Sequence, residues 1–268
     1  MLYFVSTPVG NLKDISLRAL EVLKSVDIIA CEDTRTSLKL LNHYEIKKPL
    51  VAYHKFNETV AAEKLIEELK SGKNIAVITD AGTPVVSDPG NVLSTILREN
   101  GLEYTVIPGA TAFVPALILS GLSASRFAFI GFLPSKKKDR EELLAKYKNL
   151  DMTLIFYSAP HDLKADLETL YSSFGARKAA VCKEITKIHE GVERIMLGEE
   201  LKEDTPKGEY VIIVEGGKAE ENILSKLPIK EHILYYMNSG LDKKEAIKTV
   251  AKDRNLPKSE VYKYSIDV

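Results

Sequence analysis

The sequence predicts an α/β protein with two α/β domains and a small helical domain at its C-terminal end. Short apolar runs alternate with segments of helical periodicity through the first half of the chain, which indicates a mostly parallel sheet with helices on both faces. The 268 residues exceed the ~100–150 of a typical single domain. We therefore expect α/β domains at residues 1–118 and 119–222, followed by helices at residues 227–268.

The first domain is expected to contain five strands, each followed by a helix. The apolar runs are short and bounded by turn-forming residues, as is typical of strands that are buried in a parallel sheet. Ser16 is a suitable N-cap for the first helix, and Gly72 is a suitable stop for the third. The expected strands are residues 2–5, 27–31, 50–53, 75–78 and 104–107.

The second domain is expected to have a mixed sheet with fewer helices, in which the last two strands are antiparallel. Its expected strands are residues 127–133, 153–157, 178–185, 188–197 and 209–214.

The C-terminal segment has a different character, since it predicts three short helices at residues 230–238, 242–254 and 257–264. Asp242 and Ser259 are suitable N-caps. Pro257 suits a helix start. The helices and their glycine turn resemble a helix-turn-helix. Residues 226–268 contain nine Lys and Arg against six Asp and Glu.

Composition excludes several classes of protein. With 45% hydrophobic and 28% charged residues the chain is globular, and no apolar run approaches the ~20 residues of a membrane span. The first residues lead into a strand without a basic segment, so we expect no signal peptide. The only cysteines, Cys31 and Cys182, have no spacing for a disulfide framework or a metal site, which fits a reducing cytoplasm.

Polar and glycine-rich segments follow every expected strand of the first domain, and the most elaborate is residues 79–90. This segment carries Asp80, Thr83, Ser87 and Asp88 on a backbone with two prolines and two glycines. Ligands of open α/β sheets bind beyond the carboxyl ends of the strands. Because these segments would collect at one edge of the sheet, we expect a ligand site there.

Several common sites are missing from the sequence. No Gly-x-Gly-x-x-Gly follows the first strand, no phosphate-binding P-loop motif occurs, and the five histidines have no metal-ligand spacing. A serine nucleophile elbow is also absent. The residues alone therefore indicate an α/β enzyme with a small-molecule cleft between two domains, together with basic segments at residues 136–140 and in the C-terminal helices.

Six motifs, taken together, resemble those of the tetrapyrrole (corrin/porphyrin) methylase superfamily, and within it the family of the ribosomal RNA small subunit methyltransferases I. The likeness extends over essentially the whole chain. Asp162 departs from it, because the family usually has arginine there, and Ala110 stands where other small residues also occur. The motifs are residues 6–12 (STPVGNL), 32–35 (EDTR), 80–90 (DAGTPVVSDPG), 108–112 (PGATA), 131–134 (GFLP) and 156–161 (FYSAPH).

The resemblance implies a homodimeric cytoplasmic enzyme that uses S-adenosylmethionine and no metal. It would methylate the ribose 2′-hydroxyl of a cytidine in the decoding region of 16S ribosomal RNA, on the small ribosomal subunit, with no role for DNA or membranes. The methyl donor would lie in the cleft between the two α/β domains. By position in the motifs, the implied cofactor contacts are Pro8, Asp80, Ala81, Gly82, Thr83, Val86, Thr111, Ala112, Ser158 and Ile185.

Placement at strand ends gives hypotheses for the remaining roles. Glu32, Asp33 and Asp88 are candidate general bases, and Arg35 could hold a phosphate with two parallel hydrogen bonds. Basic residues on the loop and the C-terminal helices are the expected RNA contacts. Those RNA contacts are Lys136, Lys137, Lys138, Arg140, Lys243, Lys244 and Lys248, with Lys252 and Lys258 as further members.

Two alternatives stay open. A methylase of the same superfamily that acts on a small macrocycle would have no use for the basic loop or the helical tail. A DNA-binding regulator that uses the C-terminal helices would leave the loops of the first 220 residues unexplained.

Overall fold

The first sheet consists of five parallel strands in the order β3-β2-β4-β1-β5. The computed structural model describes residues 1–202, 205–217, 224, 227–254 and 256–265. The strands are β1 (Leu2–Val5), β2 (Ile28–Cys31), β3 (Leu50–Ala52), β4 (Ile75–Ile78) and β5 (Tyr104–Ile107). The helices that follow them are α1 (Leu17–Ser25), α2 (Thr34–His43), α3 (Glu58–Lys70), α4 (Asn91–Glu99) and α5 (Phe113–Ser120).

Alternate residues of these strands point to opposite faces of the sheet, and each face is covered by two helices. Leu2 and Phe4 pack with residues of α3 and α4. Val5 and Ile29 pack with residues of α1 and α2 on the opposite face. All four residues of β2 and of β4 are buried, which confirms that short continuous apolar runs are central parallel strands here.

The second sheet is mixed, in the order β6-β7-β10-β8-β9. Strands β6 and β7 are parallel, whereas β10 is antiparallel to both β7 and β8, and β8 is antiparallel to β9. Helix α5 covers one face of this sheet. The strands are β6 (Phe127–Phe132), β7 (Thr153–Ser158), β8 (Lys178–Lys183), β9 (Gly191–Met196) and β10 (Tyr210–Val214), with helices α6 (Lys137–Tyr147) and α7 (Leu163–Phe174) between them.

The last described helices are α8 (Ile229–Asn238), α9 (Lys243–Asp253) and α10 (Lys258–Lys263), which share a small apolar core. Asp242 caps α9 as expected, since its side chain accepts a hydrogen bond from the Glu245 amide. Ser16 likewise caps α1. The prediction for Ser259 is wrong, because α10 begins at Lys258 after Pro257 and Ser259 lies inside the helix.

The chain divides into two compact units, one formed by residues 1–145 and 152–215, the other by residues 146–151 and 216–268. Both sheets belong to the first unit. The domain boundaries at residues 118 and 222 stay predictions, and residue 222 lies outside the described residues, as do residues 266–268. Within the described ranges, every helix is too short or too polar to cross a membrane.

Candidate active site

A cavity of about 420 Å³ lies where strand ends of both sheets meet in the first unit. Its size is within the range of small-molecule sites in proteins, roughly 300–1,000 Å³. Loops after β1, β2, β4, β5, β7 and β8 contribute to it, together with the last residue of β6 and the start of β10. The lining residues are Val9, Glu32, Thr79, Asp80, Ala81, Gly82, Thr83, Val86, Ser87, Asp88, Thr111, Ala112, Phe132, Tyr157, Ser158, Ala159, Pro160, Ile185, Glu209, Tyr210 and Val211.

The loop at residues 79–90 is fixed at its start by the loop after β1. Thr7 and Gly82 exchange two backbone hydrogen bonds of 2.8 and 3.1 Å, and the Thr7 hydroxyl donates to the Thr79 carbonyl. The Thr83 hydroxyl lies 2.8 Å from the hydroxyl of Ser6 and donates to the Ala110 carbonyl at 3.1 Å. Three loops are therefore joined before any ligand arrives.

Glu58, the first residue of α3, fixes the other end of the same loop. One of its carboxylate oxygens accepts the amides of Gly90 and Val92, at 2.7 and 3.3 Å, and also the hydroxyl of Tyr53 at 2.9 Å. Burial raises the pKa of Tyr53, and the hydrogen bond to Glu58 raises it further. By accepting these hydrogen bonds, the Glu58 carboxylate satisfies backbone amides that would be costly to leave without a partner.

The backbone of this loop is left-handed at Gly82, Val85 and Ser87, with φ of 88°, 77° and 67°. Glycine adopts that conformation readily, but a β-branched residue such as Val85 does so at a cost of about 1–3 kcal/mol. Such strain persists only where the surrounding structure holds it in place, and it concentrates at ligand sites.

Strand β6 approaches the loop most closely at Gly131. A Cβ atom built there would lie 2.9 Å from the Ser87 hydroxyl oxygen, and the φ of Gly131 is 77°. The pairing of β6 with β7 shifts between Phe129 and Gly131, so the strand bulges at this point. Glycine is therefore required for both the conformation and the close approach of the second sheet to the loop.

Three carboxyl groups line one side of the cavity, and all have raised pKa values. Burial, followed by the negative charge of Glu32, raises the pKa of Asp88 to about 7. Burial also raises the pKa values of Glu32 and Asp80, and each is raised further by a neighbouring carboxylate. A carboxyl group with a pKa near neutrality can accept a proton from a substrate at physiological pH.

Thr79 lies beside this carboxyl cluster and is 4% exposed. Among the described residues, its hydroxyl has no hydrogen-bond partner, although it is near enough to Glu32 and Asp88 to lower their pKa values. A buried hydroxyl without a partner costs about 1–3 kcal/mol. Because Thr79 lines the cavity, a polar group of a bound ligand can satisfy it.

Ser158 lines the cavity from the second sheet, and its hydroxyl donates to the buried Asp166 at 2.7 Å. The guanidinium of Arg140 lies 3.6 Å from the other oxygen of Asp166 and donates to the carbonyl of Pro134. Arg140 is thus engaged inside the protein, with its side chain 18% exposed, and is poorly placed for the RNA contact predicted for it.

The loop after β8 is joined to the loop after β1. Lys187 bridges Glu184 and Glu209 with two contacts of 2.9 Å, and Glu209 also lines the cavity. The amide of Asn11 donates to the hydroxyl of Thr186 at 3.1 Å. The position of Ile185 in the cavity wall therefore depends on both sheets.

The cavity brings together most of the cofactor and catalytic residues expected from the sequence. Pro8 does not line it, and its neighbour Val9 does. Asp33 and Arg35 are also outside the lining, and they pair with each other at 2.8 Å. This hydrogen-bonded pair lowers the pKa of Asp33 to about 2. The expected residues found in the lining are Glu32, Asp80, Ala81, Gly82, Thr83, Val86, Asp88, Thr111, Ala112, Ser158 and Ile185.

Residues 209–211 line the cavity, although the sequence does not predict them there. The expected site is at the carboxyl ends of strands, whereas these residues are at the amino end of β10. Because β10 is antiparallel, Tyr210 pairs with Ser158 and Lys183 at the ends of β7 and β8. The antiparallel prediction for residues 209–214 was the signal that could have identified them.

The remaining expected RNA contacts lie at the start of α6 and on α9 and α10, and all of them except the half-buried Lys243 are exposed. Lys136 precedes α6, and Lys137 and Lys138 are in its first turn, 3.9 and 3.7 Å from Glu141 and Glu142. Lys243, Lys244 and Lys248 are on α9 of the second unit, where they line a groove described below.

The two sheets and the cavity at their strand ends form the site of a methylase, a class that is shown by comparison with known proteins. Residues 1–202 match the family model of the tetrapyrrole (corrin/porphyrin) methylases, and the chain belongs to that family. It is 44% identical over 270 residues to ribosomal RNA small subunit methyltransferase I of Bacillus subtilis (strain 168), which covers 98% of this chain and 92% of the relative. The protein of the same name from Escherichia coli O157:H7 is 41% identical over 272 residues, covering 99% and 94%.

Solved structures show the same fold at lower identity. The methyltransferase CobJ superposes with a TM-score of 0.63 at 18% identity, over 80% of this chain and 93% of that chain. Diphthine synthase superposes with a TM-score of 0.62 at 20% identity, over 80% and 89%. The α/β fold class predicted from the sequence is therefore confirmed.

The enzyme uses S-adenosylmethionine as its methyl donor, and the cavity fits that molecule. Glycine, alanine and threonine of residues 81–83 leave the backbone accessible to an adenosine moiety, and the unpartnered Thr79 hydroxyl is available for a polar group. Glu32 and Asp80 line the cavity and would supply negative charge for the sulfonium cation of a bound donor. No cluster of potential metal ligands occurs among the described side chains.

Proposed function

We propose that this enzyme methylates the RNA of the small ribosomal subunit, at the ribose 2′-hydroxyl of a cytidine in the decoding region of 16S ribosomal RNA. The observation that carries the proposal is the 44% identity to proteins named ribosomal RNA small subunit methyltransferase I over nearly the full length of both chains. That identity includes the C-terminal helices, which the family model for residues 1–202 does not reach.

In this proposal the loops around the cavity position the reactants. Bound S-adenosylmethionine supplies an electrophilic methyl group. The strained loop at residues 79–90, fixed by Thr7 at one end and Glu58 at the other, holds its backbone groups in place without rearrangement on binding. Placing a nucleophile and a methyl group in line contributes much of the rate in such displacements.

Asp88 is the proposed general base. It lines the cavity, and its raised pKa of about 7 lets it accept the proton of a ribose hydroxyl near neutral pH. Glu32 is beside it and raises its pKa, so Glu32 acts on the reaction by tuning Asp88. Asp33, whose carboxylate is engaged with Arg35, is not used as a base.

Homodimer formation is part of the proposal and rests on exposed apolar side chains around strand β5, an edge of the first sheet. Tyr104 and Val106 are 40% and 47% exposed on β5, and Ile118 of the following helix is 70% exposed. Edge strands invite pairing with another chain. Light scattering is expected to give twice the chain mass for the wild type, and a monomer for Ile118→Lys.

Methylation of isolated small ribosomal subunits tests the proposed function. The purified enzyme with tritiated S-adenosylmethionine is expected to label subunits that come from a strain without this activity. The label should be lost when the 2′-hydroxyl of the target cytidine is absent. Protein-free 16S RNA and uroporphyrinogen are assayed in parallel. If uroporphyrinogen alone is labelled, the substrate is a macrocycle and the proposal of an RNA substrate is refuted. Because small ribosomal subunits are the proposed substrate, the proposed site of action is the cytoplasm.

A further inference from the structure

The second unit contains a groove of about 830 Å³ between α9 and α10. Lys244 and Lys248 are four residues apart and lie on one face of α9, and Lys243 lines the groove beside them at the start of the helix. On α10, Lys258 and Tyr262 are four residues apart and face the same groove. The lining is Lys243, Lys244, Ile247, Lys248, Lys258, Ser259 and Tyr262.

The charged residues that line this groove are all positive. Four of its seven lining residues are lysines, and none of these described residues is acidic. Lys243 and Lys244 follow directly after Asp242, whose carboxylate caps α9 and offsets the dipole of that helix end, so the positive charge of the groove comes from its lysines. The groove therefore attracts a chain of phosphates.

Tyr262 gives the groove a second property. Its side chain is 61% exposed, although it belongs to a small unit in which apolar residues such as Val261 next to it are fully buried. An aromatic ring exposed among lysines is the arrangement by which proteins bind unpaired nucleotides, because bases stack on the ring while the lysines hold the backbone.

We propose that the groove between α9 and α10 binds an unpaired segment of RNA, with one base stacked on Tyr262 and its flanking phosphates on Lys244, Lys248 and Lys258. This proposal rests on the proposed function, which gives RNA as the substrate. It adds that the groove recognises the RNA as a single strand. The lysines alone would attract any nucleic acid, whereas the tyrosine favours a single strand over a duplex.

Binding of a fluorescent, unpaired 12-nucleotide RNA to the full-length enzyme tests the stacking contact. Tyr262→Ala is expected to weaken binding at least about fivefold, the lower end of the effect of losing one stacked base. Tyr262→Phe keeps the ring and should bind within about twofold of the wild type. Tyr264→Ala is the matched control, because Tyr264 is also exposed (51%) and follows the same helix without lining the groove.

A second pair of variants tests the phosphate contacts. Replacing Lys244 and Lys248 with glutamine should reduce the slope of log affinity against log salt by about 1.4, which is two contacts at ~0.7 each for a single strand. Glutamine at Lys230 and Lys263, two exposed lysines outside the groove, should leave the slope unchanged. Thermal unfolding and S-adenosylmethionine affinity, measured for every variant, verify that the fold is intact.

Several results would overturn the proposal. Equal RNA affinity for Tyr262→Ala and the wild type would eliminate stacking, as would equal losses for the Ala and Phe variants or an equal effect of Tyr262→Ala on duplex RNA. An unchanged salt slope for the Lys244 and Lys248 variant would eliminate the phosphate contacts. The binding assay needs no methyl transfer, so an enzyme that fails to label small subunits would refute the proposed function while leaving this inference standing.

Discussion

Asp88 is the side chain proposed to accept the proton in the reaction. Its carboxyl group is partly buried, faces the cavity, and lies close enough to Glu32 for the two negative charges to repel. Both effects favour the protonated form, and they bring the pKa to about 7. The base is then half ionised at neutral pH and more fully ionised above it.

Activity should therefore rise with pH through about 7 in the wild type, because only the ionised Asp88 accepts a proton. Asp88→Asn removes the base, so we expect kcat to fall about 10²- to 10⁴-fold and the rising limb to disappear. The measurement is kcat on small ribosomal subunits between pH 5.5 and 9. A rising limb that survives in Asp88→Asn would assign the proton acceptor to another group.

Stability provides an independent check of the raised pKa. A carboxyl group whose pKa is higher in the folded than in the unfolded protein stabilises the fold at low pH, and loses that contribution as pH rises through the folded value. Asp88→Asn should therefore gain about 1 kcal/mol over the wild type at pH 8, after a discount for partial exposure, and gain nothing near pH 4. Asp14→Asn removes an exposed carboxylate and should leave the stability unchanged at both pH values.

Gly131 sets how closely the second sheet approaches the cavity loop, and a matched glycine isolates that effect. Gly131→Ala and Gly101→Ala both place a side chain at positive φ, which costs about 1 kcal/mol of stability in each. Only alanine at position 131 meets Ser87, because position 101 has open space around it. We expect weaker S-adenosylmethionine binding in Gly131→Ala alone, measured by calorimetry. Equal donor affinity in the two variants would argue against the role of this contact.

At the scale of elements, α6 and α7 hold the end of β7 in place. Arg140 of α6, Asp166 of α7 and Ser158 of β7 form a connected polar chain that ends at the cavity wall. Removing one member of a buried ion pair leaves the other charge uncompensated, which is costly. The surface pairs on the same helix α6 contribute little, since both partners are mostly exposed to water.

Arg140→Gln is therefore expected to lower the free energy of unfolding by about 2–3 kcal/mol and to weaken donor binding. Lys137→Gln, three residues earlier in a pair 89% and 60% exposed, should change the stability by less than about 0.5 kcal/mol. Chemical denaturation measures both. A stable Arg140→Gln with a raised KM for RNA would instead favour the RNA contact expected from the sequence.

The same elements show what a sequence can and cannot predict. The strands of the first sheet follow from short apolar runs, and the loop at residues 79–90 from its glycines, prolines and acids. The RNA contact at Arg140 stays a prediction. Its ion pair with Asp166, 26 residues further along the chain, has no local signal in the sequence, because the two side chains meet only when α6 and α7 come together. Thr79 carries no local signal either, because the burial of its hydroxyl without a partner depends on tertiary packing around the end of β4.

At the scale of the whole molecule, the cavity and the basic groove belong to different units. All residues that line the cavity are in the first unit, and all residues that line the groove are in the second. The division predicts that binding of the methyl donor and binding of RNA can be separated by deletion.

Removing residues 227–268 should leave the affinity for S-adenosylmethionine within about twofold of the wild type. The KM for small ribosomal subunits should rise at least about tenfold, because several phosphate contacts are lost. Calorimetry and the methylation assay give the two values. If donor affinity falls as much as the KM rises, the C-terminal helices support the fold of the first unit and do not serve RNA alone.

The position of β10 between β7 and β8 has a consequence during synthesis of the protein. The first sheet has all its strands once residue 107 has left the ribosome, but the second lacks a central strand until residue 214 has emerged. Residues 209–211 also form part of the cavity wall. A nascent chain therefore remains without a complete pocket until about four-fifths of it has been translated.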